Sequence, residues 1–154
     1  MRGDSRPTRV LVIDDTPEFL TLVTDLLRDG RYDVVTSRGD DIDVEALVGA
    51  SPDLIVLDLR LRTATEQLTG MEFLRLIRAH RHLRRTPVII CSADLAQLRA
   101  NREALARDAF CWILPKPFTP DAFEETVGTA LGEPVQARLA AAPPEIRAAI
   151  EPQS

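Results

Sequence analysis

Three aspartates, one serine and one lysine carry the chemistry this chain offers. Asp14 and Asp15 follow the run Arg9-Val10-Leu11-Val12-Ile13, and Asp58 follows Leu54-Ile55-Val56-Leu57. Lys116 lies in Leu114-Pro115-Lys116-Pro117-Phe118 and is the single lysine among 19 basic residues, the others being arginine. An ammonium is a compact point charge and a guanidinium a planar fork, so the two do not substitute for one another at a tight anion site. A lysine kept against such a bias reads as held by its chemistry. Three carboxylates in one crevice repel one another, and a cation among them keeps them ionised. An all-oxygen donor set favours Mg²⁺ or Mn²⁺. A divalent cation beside a lysine makes a well for a phosphoryl group, and the Ser92 hydroxyl adds a donor to it. One aspartate of the set can then act as nucleophile, since carboxylates form acyl-phosphates.

These residues come together only if particular elements position them. Five short apolar runs predict strands: Val10–Ile13, Asp33–Thr36, Leu54–Leu57, Val88–Cys91 and Cys111–Leu114. The first, third and fourth are almost continuously apolar, as strands buried on both faces are. The second is more polar, as an edge strand would be. Helical spacing of apolar residues predicts helices over Glu18–Arg28, Ile42–Val48, Met71–Arg81, Leu95–Arg107 and Asp121–Leu131. Pro17 suits a first helical position, and Thr119-Pro120 reads as an N-cap followed by proline. The order is β-α five times, which predicts an α/β three-layer sandwich on a doubly wound, five-stranded parallel sheet. Asp14, Asp15, Asp58, Ser92 and Lys116 all fall at strand C-terminal ends, where such sheets bind ligands.

With those motifs in order, residues 9–132 resemble a receiver domain of a two-component response regulator. The resemblance rests on Asp14-Asp15, Asp58 at the end of the third strand, Ser92-Ala93 after the fourth, and Lys116-Pro117-Phe118 after the fifth. It implies a flavodoxin-like (βα)5 fold with strand order 2-1-3-4-5. It implies Asp58 as phosphoacceptor, with Mg²⁺ held by Asp15, Asp58, the backbone carbonyl of Arg60 and, through water, Asp14. Ser92 and Lys116 would hold the phosphoryl group, and the Lys116–Pro117 bond would be cis. Arg60 and Asp94 would flank the phosphoryl group, and an ion pair between them would lie across the opening. The implied partners are a sensor histidine kinase or phosphotransfer protein and a downstream effector protein, with a homodimer left open.

Three departures from the family pattern stand out. Position 62 is Arg62 where a proline is usual, and Gly70 comes late, so Thr63–Thr69 would form a longer polar loop. The switch position three residues before the lysine holds Ile113 in place of Tyr or Phe, and strand alternation points the neighbouring Trp112 to the opposite face. The end of the third helix carries Arg78, His80, Arg81, His82, Arg84 and Arg85, read as a solvated arginine-rich loop or a docking patch for an acidic partner.

Taken singly, each site residue has a plainer reading: Asp14 and Asp15 as helix-capping acids, Asp58 as a turn residue, Ser92 as a cap, Lys116 as a solvated surface group. Their joint placement argues for the site. The net charge of −5 and pI near 5.1 speak against nucleic acid as partner. No apolar run approaches the roughly 20 residues that span a bilayer, and the polar start lacks a signal-peptide stretch, so a cytoplasmic protein is expected. Cys91 and Cys111 lie at opposite ends of their strands, too far apart for a disulfide. Residues 1–8 are expected as an N-terminal extension and 133–154 as an Ala/Pro-rich tail with no output domain. The expectation is a stand-alone, single-domain response regulator, not an enzyme beyond its own phosphorylation and dephosphorylation. The alternatives are a non-phosphorylated receiver-like interaction module and, less favoured, a phosphohydrolase on the same fold.

Overall fold

A computed structural model describes residues 7–28, 32–40, 42–61 and 69–132. Its elements in chain order are β1 (Thr8–Ile13), α1 (Pro17–Arg28), β2 (Tyr32–Ser37), α2 (Val44–Ala50), β3 (Leu54–Asp58), α3 (Gly70–Ala79), β4 (Val88–Ser92), α4 (Leu95–Ala100), α5 (Arg102–Ala106), β5 (Cys111–Pro115) and α6 (Pro120–Ala130). The five strands form one parallel sheet in the order β2-β1-β3-β4-β5. This is the doubly wound, flavodoxin-like arrangement that the alternating pattern predicts.

The sheet is buried on both faces, which is why its inner strands are so uniformly apolar. Leu11, Ile13, Ile55, Leu57, Val88 and Ile90 face a core shared with α2, α3, α4 and α5. Val10, Val12, Leu54, Val56, Ile89 and Cys91 face the core under α1 and α6. Each such side chain contributes roughly 1.5–3 kcal/mol by leaving water. Cys91 and Cys111 are both free thiols, and burial pushes the Cys111 thiol up to about 12, where it is inert.

Five expectations about the fold need correction. The single helix predicted over Leu95–Arg107 is two, broken at Asn101. The Asn101 amide donates to the Gln97 carbonyl at 2.8 Å, the side-chain competition that makes asparagine a poor interior helix residue. The second helix begins at Val44, because the Asp43 carboxylate accepts the Ala46 N–H at 2.8 Å and acts as N-cap. The third helix ends at Ala79, and β1 begins at Thr8, inside the segment expected as an extension.

The last correction concerns Arg78, which is not part of a solvated basic loop. Its guanidinium pairs with Asp108 at 2.6 Å and donates to the carbonyls of Thr86 at 2.8 Å, Phe110 at 3.0 Å and Leu83 at 3.3 Å. Arg78 clamps the turn between α3 and β4 to the start of β5. The expected loop over residues 63–69 lies outside the described residues except for Thr69. That residue opens α3 with a capping box, its hydroxyl accepting the Glu72 N–H and Glu72 accepting the Thr69 N–H. The expected C-terminal tail also lies outside them. Among the described residues, no helix is long and apolar enough to cross a membrane.

Candidate functional site

Parallel pairing in register brings the C-terminal ends of the strands side by side. Ile13 pairs with Leu57, Asp58 with Cys91, and Ser92 with Pro115. The residues that end each strand therefore share one edge of the sheet, although Asp14 and Lys116 are 102 positions apart.

Asp14 is fully buried and fixed from three sides. Its N–H donates to the Ser37 carbonyl at 3.0 Å, one carboxylate oxygen accepts the Thr16 N–H at 2.9 Å, and the other accepts the Lys116 ammonium at 2.7 Å. Asp15 is exposed. Asp58 is 6% exposed, and one of its oxygens accepts the Arg60 N–H at 3.1 Å. Burial pushes the Asp58 carboxyl up from its ordinary value; the Arg60 N–H and Lys116 oppose that rise, while Asp14 and Asp15 add to it.

The three aspartates offer carboxylate oxygens that all lie within 4.8 Å of one another. Three hard oxygen donors so close suit a small divalent cation, so the donor set fits Mg²⁺ or Mn²⁺. Above them lies a crevice of about 450 Å³ lined by Asp15, Thr16, Phe19, Asp58, Arg60, Ala93 and Lys116.

Ser92 ends β4 and is fully buried; its hydroxyl accepts the Asp94 N–H at 3.1 Å, and its carbonyl accepts the Lys116 N–H at 2.8 Å. The lining residue at that point of the crevice is Ala93. The Lys116–Pro117 peptide bond is cis. Arg60 lines the crevice, but the expected ion pair with Asp94 does not form. Asp94 turns its carboxylate to the Gln97 N–H at 3.0 Å as the N-cap of α4, and among the described residues it makes no ion pair with Arg60. A local cap of this kind outcompetes an exposed ion pair, which is worth only about 0–1 kcal/mol. Ile113 is 8% exposed in the core toward α2–α5, while Trp112 is half-buried against the α1–α6 side. The two occupy opposite faces of β5, as alternation requires.

Two residues matter more than sequence reasoning assigned them. Phe19 lies in the first turn of α1, four positions after Asp15, with the Lys116 nitrogen 3.9 Å from its ring centroid. Its ring meets Phe118 edge-on at 6.0 Å, and Phe118 stacks on Phe123 at 5.4 Å. In sequence Phe19 is one more apolar residue of a helical stripe. Gly70 opens α3 against the backbone that follows Asp58. A β-carbon there would run into the Asp58 carbonyl oxygen and come within 2.7 Å of the Leu59 α-carbon. The Gly70 N–H donates to the Leu59 carbonyl at 3.2 Å.

Residues 10–128 match the response regulator receiver domain. Among curated proteins, the chain is 29% identical over 131 residues to the transcriptional regulatory protein BaeR of Escherichia coli, covering 83% of this chain and 50% of that protein. It is 36% identical over 90 residues to a protein-glutamate methylesterase/protein-glutamine glutaminase of Rhizobium etli, covering 57% of this chain and 24% of that protein. The matched segment thus spans about a quarter of the Rhizobium protein. Among solved structures, the chemotaxis response regulator CheY4 of Vibrio cholerae superposes with a TM-score of 0.69 at 25% identity, over 82% of this chain and all of that one. The receiver domain of sensor histidine kinase PA1611 from Pseudomonas aeruginosa, solved with magnesium in its active-site cleft, gives a TM-score of 0.64 at 26% identity, over 83% of this chain and all of that one.

Proposed function

The chain belongs to the response regulator receiver domain family of two-component signalling, and from that premise we propose that Asp58 accepts a phosphoryl group from a histidine kinase or phosphotransfer protein. The observation that carries this reading is the convergence of three carboxylates within 4.8 Å of one another beside one lysine, with Asp15, Asp58 and Lys116 lining one crevice over the buried Asp14. Among the three, Asp58 is the one suited to attack. Both oxygens of Asp14 are engaged, by the Thr16 N–H and by Lys116, and Asp15 is the exposed member. Asp58 is held by the Arg60 N–H through one oxygen, which fixes its rotamer and leaves the other oxygen for the phosphorus.

In the transfer, an Asp58 oxygen forms a bond to phosphorus. The bond from phosphorus to the donor's imidazole nitrogen breaks, and the electron pair leaves with the imidazole. Lys116 is already on the crevice wall and supplies positive charge to the phosphoryl oxygens, with Ser92 at the end of the adjacent strand as the hydroxyl partner. Asp14, Asp15, Asp58 and the Arg60 carbonyl are the groups that would hold Mg²⁺. When bound, the cation neutralises the carboxylates and the incoming phosphoryl oxygens. Signal output is by contact with an effector protein in the cytoplasm, without nucleic acid and without catalytic turnover of a separate substrate.

The test is incubation with acetyl phosphate, with and without Mg²⁺, followed by intact mass. One phosphoryl group is gained only with the cation, and none by Asp58→Asn. No uptake by the wild type returns the chain to a non-phosphorylated interaction module. Consumption of donor without a stable adduct makes it a phosphohydrolase.

A further inference from the structure

At the other end of the sheet the chain reverses its charge. Between α3 and β4, the exposed side chains Arg81, His82, Arg84 and Arg85 lie within five consecutive positions of a protein whose net charge is −5. The turn that carries them is rigid. Leu83, between the two pairs, is 2% exposed and anchored in the core. The Leu83 and Arg84 N–H groups both donate to the His80 carbonyl, at 3.0 and 2.9 Å. Arg78 clamps the carbonyls of Leu83 and Thr86 from beneath. Among the described residues, Arg81, Arg84 and Arg85 make no ion pair and no hydrogen bond through their side chains. A solvated loop does not require this degree of support. Unpaired cations carried on a fixed backbone meet an anionic partner at a smaller ordering cost than cations on a mobile loop.

The basic side chains border a crevice of about 420 Å³ whose walls include Pro52 and Pro87. A second crevice of about 370 Å³, between the end of α2 and the same turn, shares Pro52, Asp53 and His82 with it. The two share a wall and lie side by side between Ser51 and Arg85 as one lined surface groove. We propose that this groove docks an acidic, extended segment of a partner protein. The spread of Arg81, Arg84 and Arg85 along its edge suits an extended chain bearing several carboxylates better than a compact anion. Arginine forks match carboxylates in bidentate geometry.

The groove lies at the N-terminal ends of β3 and β4, and Asp58 is the last residue of β3. At about 3.3 Å per residue, the strand holds the two sites on the order of 15 Å apart. A partner held in the groove therefore leaves the aspartate crevice open. This inference does not rest on phosphorylation, and its test uses neither Mg²⁺ nor a phosphoryl donor.

The measurement is fluorescence anisotropy of a short labelled peptide alternating Glu with Gly, titrated with the full chain at fixed ionic strength. Arg84→Glu/Arg85→Glu should weaken binding by at least about tenfold, with a shallower salt dependence. Arg75→Glu/Arg99→Glu, with the same net charge change on exposed helix positions, should bind as the wild type does. Arg84→Gln/Arg85→Gln serves the same comparison if charge reversal lowers the melting temperature. Three results overturn the proposal: no peptide binding by the wild type, equal loss in both double variants, or tighter binding of tripolyphosphate than of peptide at matched ionic strength. The last result would assign the groove to compact phosphates.

Discussion

Removing one carboxylate should stabilise this protein in the absence of metal. Asp58 is 6% exposed, and its pKa is raised first by burial and further by Asp14 and Asp15. A raised folded-state pKa means the folded chain holds its proton to a higher pH than the unfolded chain does. Stability therefore falls as pH rises from the ordinary carboxylate range through the raised value. Above the raised value the native state carries that cost in full. At 4.8 Å, the greatest separation within the cluster, two charges in an effective dielectric of 20 repel by about 3.5 kcal/mol, and in water by about 0.9 kcal/mol. The Asp58–Asp15 term lies near the lower figure because Asp15 is exposed. The Asp58–Asp14 term is largely offset by Lys116, 2.7 Å from Asp14. Asparagine keeps an oxygen for the Arg60 N–H and removes the buried charge, at the loss of its attraction to Lys116.

The net gain for Asp58→Asn is then about 1–2 kcal/mol, or roughly 4–8 °C in melting temperature for a domain of this size. The assay is thermal unfolding by circular dichroism at several pH values, with chelator and with Mg²⁺. The advantage of the variant should grow from acid to neutral pH and shrink as Mg²⁺ is added. A cation at about 100 times its dissociation constant adds about 2.7 kcal/mol to the wild type, and much less to a variant lacking one ligand. Equal or lower stability of Asp58→Asn in chelator, or equal stabilisation of both proteins by Mg²⁺, would refute the reasoning.

Lys116→Arg should slow uptake from acetyl phosphate by at least about tenfold despite keeping the charge; unchanged uptake would make Lys116 a surface residue. Gly70→Ala should cost about 1–3 kcal/mol, as a forced small-to-large change does, because its β-carbon meets the backbone at Asp58 and Leu59; urea unfolding reads this directly, and an unchanged midpoint counts against the close approach. Phe19→Leu keeps the bulk and removes the ring face under Lys116. It should lower the phosphorylation rate by up to about 5- to 30-fold, since a desolvated cation–π contact is worth about 1–2 kcal/mol, and Phe19→Trp should restore it. With Lys116→Ala already in place, Phe19→Leu should have no additional effect.

What the sequence disclosed follows the physics of each element. Inner strands are buried on both faces, so Val10–Ile13, Leu54–Leu57 and Val88–Cys91 announce themselves as apolar runs, and the residues ending them must share a sheet edge. The helix break at Asn101 stayed hidden because Leu98 and Leu105, seven positions apart, face the same core on either side of it; the apolar period reads straight through. Arg78 was misread for a related reason. What removes it from solvent is Asp108, 30 positions away, together with carbonyls from two other segments, and no local pattern encodes that. Asp94 had two claims on its carboxylate, and the helix N–H three residues on is reached at far lower entropic cost than a long arginine across an opening.

The lysine shows where the two levels meet. Its singularity in an arginine-rich chain says that a compact charge is required, though not why. The structure supplies three constraints on one residue: its Nζ lies 2.7 Å from a buried Asp14 oxygen and 3.9 Å above the Phe19 ring, and its backbone N–H is tied to the Ser92 carbonyl. A guanidinium meeting the same oxygen would place its plane over or through the ring, and prolines on both sides leave the backbone little freedom to withdraw. The ammonium satisfies a carboxylate and a ring face at once because its charge has no plane to orient. On the proposed function, the same property lets it turn from Asp14 toward a phosphoryl oxygen on Asp58 without rebuilding the loop that carries it.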